Sequence, residues 1–130
     1  MSKKFQPTQK QLKEQEKRRE AFRRFVAQAA TLTDTERESI AARIGIRNVE
    51  GHELSVHNQV LISFQLPTVS IVGGFNQWKQ QGRSVRKGQH GAMIWVPGGK
   101  KNDAGEVTGE DLFFMTTTVF DISQTEESKA

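Results

Sequence analysis

The sequence predicts an α+β fold in which a helical N-terminal half precedes a small antiparallel β-sheet, all within a single compact domain. Apolar residues recur at helical spacing through the first half of the chain, whereas β-branched and aromatic residues cluster in two short runs nearer its C-terminal end. A length of 130 residues fits one domain with a hydrophobic core rather than two. Helices and strands are therefore expected to share a core.

The first predicted helix spans about residues 8–30, directly after Pro7. This segment contains no glycine or proline and consists mainly of Gln, Lys, Glu, Arg and Ala, which favour helices. Its first half is polar on every side, and an apolar stripe appears only in its second half, at Phe22, Phe25, Val26 and Ala29. We therefore expect residues 1–32 to form a basic helical arm that packs onto the domain through its C-terminal end.

Two further helices have recognisable ends. Thr33 and Glu36 have the spacing of a capping box, and the helix that they begin is expected to end at Gly45. A third helix is expected to begin near Ser55 and to stop before Pro67. Because the apolar residues of this third helix point in several directions, it is predicted to be buried.

Glycines divide the second half of the chain into shorter segments. We predict, in order, a β-branched run at 68–72, a short helix at 75–81, a basic loop at 83–91, strands at 92–96 and 111–121, and a polar, acidic end from residue 122. The glycine-rich connection between the two strands is typical of a hairpin, and its tip would display Lys100 and Lys101.

Charge is distributed unevenly along the chain. Residues 1–50 carry 12 basic and 7 acidic side chains, residues 51–100 carry 5 and 1, and residues 101–130 carry 2 and 7. This polarity favours an anionic partner for the basic part, and nucleic acid is the commonest such partner. The alternative interpretation is a solvated helix face followed by an acidic tail.

Composition disfavours several classes of protein. The longest unbroken apolar run, residues 92–96, has five residues and is too short to cross a membrane, so no membrane partner is expected. Lys3 and Lys4 lead into no apolar stretch of the kind found in a signal peptide, which favours a cytoplasmic location. The absence of cysteine excludes disulfides, thiolate zinc sites and a cysteine nucleophile.

Patterns that would support catalysis or metal binding are weak. His52 and His57 lie five positions apart, whereas a zincin helix needs two histidines four positions apart. Ser84, His90 and Asp121 supply the residue types of a hydrolase triad, but no G-x-S-x-G elbow accompanies them. The sequence therefore predicts a non-enzymatic protein without a cofactor or a metal ion. A small metal-dependent hydrolase using the three histidines is the least favoured alternative.

The most informative pattern is the aromatic helix at residues 75–81, closed by Gly82 and followed by the basic loop. Aromatic rings stack on unpaired bases, while cationic side chains neutralise phosphates. We predict that Trp78 stacks on a base, with simple packing in the core as the alternative, and that Asn58 contacts a base or orients the loop. The candidate phosphate contacts are Lys79, Arg83, Arg86, Lys87 and Lys100.

Three spaced motifs occur in the same part of the chain. They are Ser55-x-x-Asn58-x-x-x-Ile62-x-x-Gln65-x-Pro67, then Gly74-Phe75-x-x-Trp78-x-x-x-Gly82-Arg83-x-Val85-Arg86-Lys87-Gly88-x-x-Gly91, and finally Val119-Phe120-Asp121-Ile122-Ser123-Gln124-Thr125. Together they resemble the N-terminal domain of ArdC-type antirestriction proteins, over about residues 50–126. The resemblance implies a domain that binds single-stranded DNA, with a related copy in plasmid primases. On this basis we assign the ArdC-like domain to residues 33–126 and an acidic polar tail to residues 127–130.

The resemblance also implies a biological setting. ArdC-type proteins are carried by plasmids and phages and protect incoming DNA from restriction, and full-length members usually add a metalloprotease-like domain with an H-E-x-x-H motif. This chain ends at Ala130 without that motif, so the hydrolytic activity is not carried over. The expected partner is single-stranded DNA, bound with little sequence preference. The alternative is a protein partner that docks onto the N-terminal helix, as in an inhibitor or accessory factor of a mobile element.

Overall fold

The computed structural model describes residues 6–98 and 113–128 of the chain. Within these ranges the chain forms four α-helices, six strands and one 3₁₀ helix, which are α1 (Gln9–Ala30), α2 (Asp34–Ile44), β1 (Arg47–Asn48), α3 (Val56–Gln65), β2 (Ile71–Gly73), α4 (Phe75–Gln80), β3 (Arg83–Val85), β4 (Ala92–Gly98), β5 (Phe113–Asp121), the 3₁₀ helix (Ile122–Gln124) and β6 (Thr125–Glu127). The predicted α+β class, with its helical N-terminal half in one compact domain, is confirmed.

Helices α2 and α3 begin and end close to the capping residues that the sequence predicts. Thr33 and Glu36 form the expected capping box at the start of α2, and that helix ends at Gly45, whose φ of 59° lies in the left-handed region that favours glycine. Ser55 caps α3 by accepting a hydrogen bond from a backbone N–H of the first turn, and α3 ends before Pro67. None of the described helices is long and apolar enough to cross a membrane.

The main sheet has the strand order β1-β2-β5-β4. β4 and β5 form the expected antiparallel hairpin, with a register that runs from Ala92 opposite Val119 to Gly98 opposite Phe113. β2 joins β5 in an antiparallel sense, whereas β1 joins β2 in a parallel sense. The sheet is therefore antiparallel, as predicted, except at β1. Parallel neighbours need a crossover connection, which α3 supplies between β1 and β2.

A second, two-stranded sheet was not predicted. β3 pairs with β6 in an antiparallel sense, so residues 83–85 are a strand rather than part of a loop, and residues 125–127 are a strand rather than an unstructured acidic end. The pairing depends on contacts between distant parts of the chain. The side chain of Arg83 bonds Thr125, 42 positions away, and such long-range pairing leaves no periodic pattern in either three-residue strand.

The core lies on both faces of the hairpin, because successive side chains of β4 point in opposite directions. One cluster of buried residues comprises Ile46, Ile62, Val72, Ala92, Ile94 and Val119. The other comprises Phe22, Ala29, Val60 and Leu61, with Met93 and Trp95 packed against it. Phe22 and Ala29 belong to the second half of α1, while residues 8–20 of that helix and its cap are exposed. The helix thus packs against the domain through its C-terminal half.

Candidate nucleic-acid interface

The segment after β3 keeps a short basic loop on the surface of the domain. The chain turns at Gly88, whose φ of 85° favours glycine, and the backbone N–H of Gln89 donates to the carbonyl of Arg86. Gln124 fixes the far end of this loop, since its side-chain amide donates to the carbonyl of His90 at 2.7 Å. The residues that follow β5 therefore hold the loop in place.

Arg83 and Arg86 are both oriented by neutral acceptors. The Nε of Arg83 donates to Oγ1 of Thr125 at 2.7 Å, and the guanidinium of Arg86 donates to the carbonyl of Ser123. Glu127 lies opposite Arg83 in the strand pairing, but the only ion pair among the described residues is elsewhere, in α2. The two guanidinium groups are thus held in position and keep their positive charge. They differ in exposure, because Arg83 is half-buried and Arg86 is exposed.

Two predicted lysines lie on the surface and a third cannot be placed. Lys87 is exposed at the turn before Gly88. Lys79 is exposed on α4, where its Nζ lies 4.7 Å from the centroid of the Phe75 ring. Phe75 is 50% exposed, so it is the accessible aromatic ring of this short helix. Lys100 falls outside the described residues.

Trp78 lies inside the domain. Its side chain is 3% exposed, and the indole N–H donates to the carbonyl of Phe120 at 2.9 Å. The ring also packs against Gly73, where an added Cβ would lie 3.2 Å from it. The structure therefore favours the packing alternative over base stacking for Trp78. The i, i+3 spacing of Phe75 and Trp78 predicted a shared helix face, but the neighbouring strands determine that only one of the two rings is covered.

Asn58 pairs with the sheet rather than projecting from it. Its amide donates to the carbonyl of Trp95 at 2.8 Å and accepts from the Trp95 N–H at 3.0 Å. Two turns later on α3, Gln65 makes the same pair of bonds to Met93, both at 2.8 Å. β4 is an edge strand, so these backbone groups would otherwise have no partner. We call Asn58 and Gln65 the amide clamp. Because both ends of its amide are used, Asn58 positions α3 on β4 instead of offering a free group to a base.

Asp121 is a buried carboxylate at the junction between β5 and the 3₁₀ helix. It accepts hydrogen bonds from the backbone N–H groups of Ser70 and Ser123 and from the Ser123 hydroxyl. Burial raises the pKa of Asp121, but the hydrogen bonds from Ser123, Ser70 and Ile71 together lower it more, so its pKa lies below the ordinary value. The carboxylate thereby ties the end of β5 to the chain that enters β2.

The residues considered for catalysis are not brought together. Within the described part of the chain, no hydrogen bond joins Ser84, His90 and Asp121, and the Ser84 hydroxyl bonds that of Ser128 instead. His52 lies in the turn before α3, and His57 lies in its first turn. No group of three or more His, Cys, Asp or Glu side chains that could hold a metal ion occurs among the described residues.

A groove with a basic wall lies between α1 and the hairpin, and the sequence analysis did not identify it as a site. Two adjoining depressions of about 230 and 280 Å³ share Phe22 and Met93. Between them, Phe22 packs on Trp95 with ring centroids 5.3 Å apart. The exposed arginines of the α1 wall are Arg18, Arg19 and Arg23, and the hairpin side contributes Met93, Trp95, Thr116, Thr118 and Phe120. We call this feature the α1 groove.

The α1 groove follows from two patterns that the sequence does contain. The three arginines lie four and three positions before Phe22 and one position after it, so they flank the residue that anchors the helix. On β5, Thr116, Thr118 and Phe120 occupy alternate positions and therefore share one face of the strand. The basic wall and the aromatic floor therefore meet only once α1 is packed on the hairpin.

The α1 groove continues to the basic loop. Its end beside β5 is lined by Gln89 and His90, which precede β4. Gln89 also lines a further depression of about 380 Å³, together with Arg86 and Pro67. Arginines of α1 and of the loop thus line two depressions that share Gln89, and the second of these is also lined by the carboxylate of Asp121.

Comparison with known proteins agrees with the fold. The family model described as the N-terminal domain of anti-restriction factor ArdC matches residues 27–120, which confirms the resemblance and extends it toward the N-terminus to include α2. The metal-free crystal structure of antirestriction protein ArdC from the R388 plasmid is 18% identical, with a TM-score of 0.57 over 86% of this chain and 42% of that one. The Mn(II)-bound structure of the same protein is 20% identical, with a TM-score of 0.53 over 72% and 38%. This chain therefore spans about two fifths of that protein. No curated protein matches it.

Proposed function

Because the chain belongs to the family of the N-terminal domain of anti-restriction factor ArdC, we propose that it binds single-stranded DNA. Binding has little sequence preference and involves no catalysed reaction. The observation that carries this proposal is the α1 groove, in which cationic side chains and aromatic rings line the same depression. Proteins that bind single strands combine these two elements, since cations neutralise the backbone and rings stack on unpaired bases.

The charge of the α1 groove supports an anionic ligand. Helix α1 carries seven basic and three acidic residues. Arg18, Arg19 and Arg23 are exposed beside the hairpin, and the only ion pair among the described residues joins Arg37 and Asp34 in α2. The guanidinium groups at the groove are therefore available to phosphates, and Arg86 lines the next depression beyond Gln89. Lys87, the residue after Arg86, is also exposed.

The hairpin supplies the uncharged side of the interface. Its groove-facing residues are aromatic, threonine or methionine, so they provide stacking surfaces and hydroxyl groups without a second charge. Bases are distinguished mainly through directed hydrogen bonds to their edges. Two side-chain amides line the groove: Gln65 is engaged by the backbone of β4, and the side-chain oxygen of Gln89 accepts from Gln124 at 3.3 Å. This arrangement supports binding with little sequence preference.

The proposal is tested by comparing a labelled oligothymidylate of about 16 nucleotides, a length at the upper end of single-domain sites, with a duplex of equal length. Fluorescence anisotropy should give tighter binding to the single strand, because bases in a duplex are already stacked. Equal or tighter binding to the duplex would contradict the proposal.

A matched pair of variants assigns the binding to the α1 groove. Arg19→Ala with Arg23→Ala removes two cations that line the groove, and we expect roughly ten- to thirtyfold weaker binding at about 0.1 M salt because two phosphate contacts are lost. Arg24→Ala with Arg43→Ala removes the same charge from exposed positions that do not line the groove, and should change affinity little. If both double variants lose affinity equally, binding depends on net charge and not on this groove.

The biological role of this binding is the protection of plasmid or phage DNA from restriction in the recipient cell. Family membership supports this role. Expression of the chain in a restricting host should raise the recovery of an unmodified plasmid after transformation, and the Arg19→Ala, Arg23→Ala variant should lose part of that gain. An equal recovery with and without the protein would show that DNA binding serves another purpose.

A further inference from the structure

A second groove, more apolar than the α1 groove, lies at the opposite end of the same hairpin face. It has a volume of about 730 Å³ and lies between the start of α3 and the end of the hairpin that leads to the connecting segment. Its apolar lining consists of Leu54, Trp95, Pro97 and Phe114. Phe114 is 65% exposed, which is unusual for a large aromatic ring in a small domain. We call this feature the distal groove.

The distal groove adjoins the α1 groove at one residue. Trp95 lines both depressions. In the hairpin register, Trp95 lies opposite Thr116 and Pro97 lies opposite Phe114, so these four side chains share the face on which α1 packs. A strand that follows the α1 groove along this face therefore reaches Phe114 next.

Charge separates the functions of the two grooves. None of the described residues that line the distal groove is a lysine or arginine, and Glu53 is acidic. The α1 arginines therefore favour phosphates beside them, whereas an uncharged aromatic base suits an apolar, ring-lined depression. The volume falls within the roughly 300–1,000 Å³ of sites that enclose small organic groups. His57 and Ser55 at the rim can hydrogen-bond polar base atoms.

We propose that the distal groove is a base-binding subsite in which bases of the bound strand stack on Phe114 and Trp95. This inference rests on the proposed function, because it requires a single strand whose phosphates lie along the α1 groove. The amide clamp contributes to the subsite by fixing the start of α3, which forms one wall, against the backbone of Trp95. Asn58 is therefore a positioning residue for the base subsite.

The test uses Phe114→Ala and an oligothymidylate of about 16 nucleotides, with the same strand lacking its bases as the second ligand. The wild-type protein should bind the normal strand at least about tenfold more tightly than Phe114→Ala does. A difference of this size corresponds to the loss of one base–aromatic stack. For the strand without bases, the two proteins should have equal affinity. Phe114→Leu, which keeps an apolar side chain but no aromatic face, should behave like Phe114→Ala.

Met115→Ala is the matched control. Met115 is the next residue of β5, is 49% exposed and points to the opposite face, so its loss perturbs the same strand without removing a groove residue. It should bind both ligands as the wild type does. The inference is overturned if Phe114→Ala binds the normal strand normally, which would leave the distal groove to a protein partner, or if Met115→Ala is impaired equally. If the wild type binds no single strand at all, both the proposed function and the subsite are wrong. If the wild type binds the normal strand and the strand without bases equally well, only the subsite is wrong.

Discussion

A buried tryptophan is a large part of a small core, and Trp78 has this role beneath α4. Its ring fills the space between α4 and the strands behind it, and its N–H satisfies the Phe120 carbonyl. We expect Trp78→Ala to lower the free energy of unfolding by about 3–5 kcal/mol, through lost burial and the cavity left behind. Urea denaturation measures this loss directly.

Phe75→Ala serves as the comparison for Trp78, because both rings belong to α4 and only Phe75 is half-exposed. The Phe75 variant should lose about 1 kcal/mol of stability, because only about half of its side chain is buried. Should Trp78→Ala instead keep wild-type stability and lose DNA affinity, the ring would be a stacking surface for a base.

Asp121 gives the domain a specific dependence on pH. Its pKa is lower in the folded protein than in the unfolded chain, so the folded state binds its proton less readily. The stability that this carboxylate contributes is therefore complete above its unfolded pKa of about 3.9 and is lost as the pH falls through the lower folded value. Asp121→Asn should be less stable than the wild type at pH 7 and should lose less stability on acidification. Urea midpoints at about pH 7 and about pH 3 test this, and an unchanged acid dependence in the variant would contradict it.

At the scale of elements, the amide clamp determines how α3 meets the sheet. Asn58→Ala would leave the Trp95 N–H and carbonyl without protein partners at the edge of β4. We expect a loss of about 1–3 kcal/mol, the usual cost of unsatisfied groups that are partly buried. Hydrogen exchange gives a sharper readout than global stability, because the Trp95 amide should lose protection by more than the amides of β5 do.

Gln65→Ala is the matched variant within the same clamp, and its effect should fall on the Met93 amide instead. The two losses should be local, each largest at the strand residue that its own side chain bonds. Asn76→Ala, at an exposed position of α4, should leave both amides protected. Equal loss of protection at Met93 and Trp95 in either single variant would mean that α3 detaches as a unit.

The contrast between α2 and β3 explains which elements the sequence could predict. Thr33, Glu36 and Gly45 determine both ends of α2 through bonds or backbone angles within a few residues, so the pattern is legible in the chain itself. β3 has three residues and exists because β6 pairs with it from the far side of the hairpin. Its residues would fit a loop equally well, and only tertiary structure decides between the two.

At the scale of the whole molecule, the same limit applies to the candidate interface. The basic character of α1 and of the loop could be predicted because charge is counted directly from the sequence. Which cations share a surface depends on how α1 packs, and that packing brings Arg19 and Arg23 to the hairpin while leaving Arg24 outside the groove. Trp78 and Asn58 illustrate the converse, because side chains suited to contacting a base are used by the fold itself.

Salt dependence measures how much of this surface a single strand covers. If Arg18, Arg19, Arg23, Arg86 and Lys87 contact about five phosphates, the logarithm of affinity should fall with the logarithm of salt concentration with a slope of about −3.5. Raising salt from about 50 to about 200 mM should then weaken binding roughly a hundredfold.

Two double variants divide this slope between the two ends of the surface. Arg19→Ala with Arg23→Ala, and separately Arg86→Ala with Lys87→Ala, should each make the slope shallower by about 1.4, because each pair removes two contacts that release counterions. Combining all four changes should leave a slope near −0.7, provided that the strand crosses both regions. Stability should hardly change, since exposed cations without ion-pair partners contribute within about 0.5 kcal/mol. If the strand follows only one of the two regions, one double variant should change the salt slope and the other should leave it unchanged. The path past Gln89 would then be wrong.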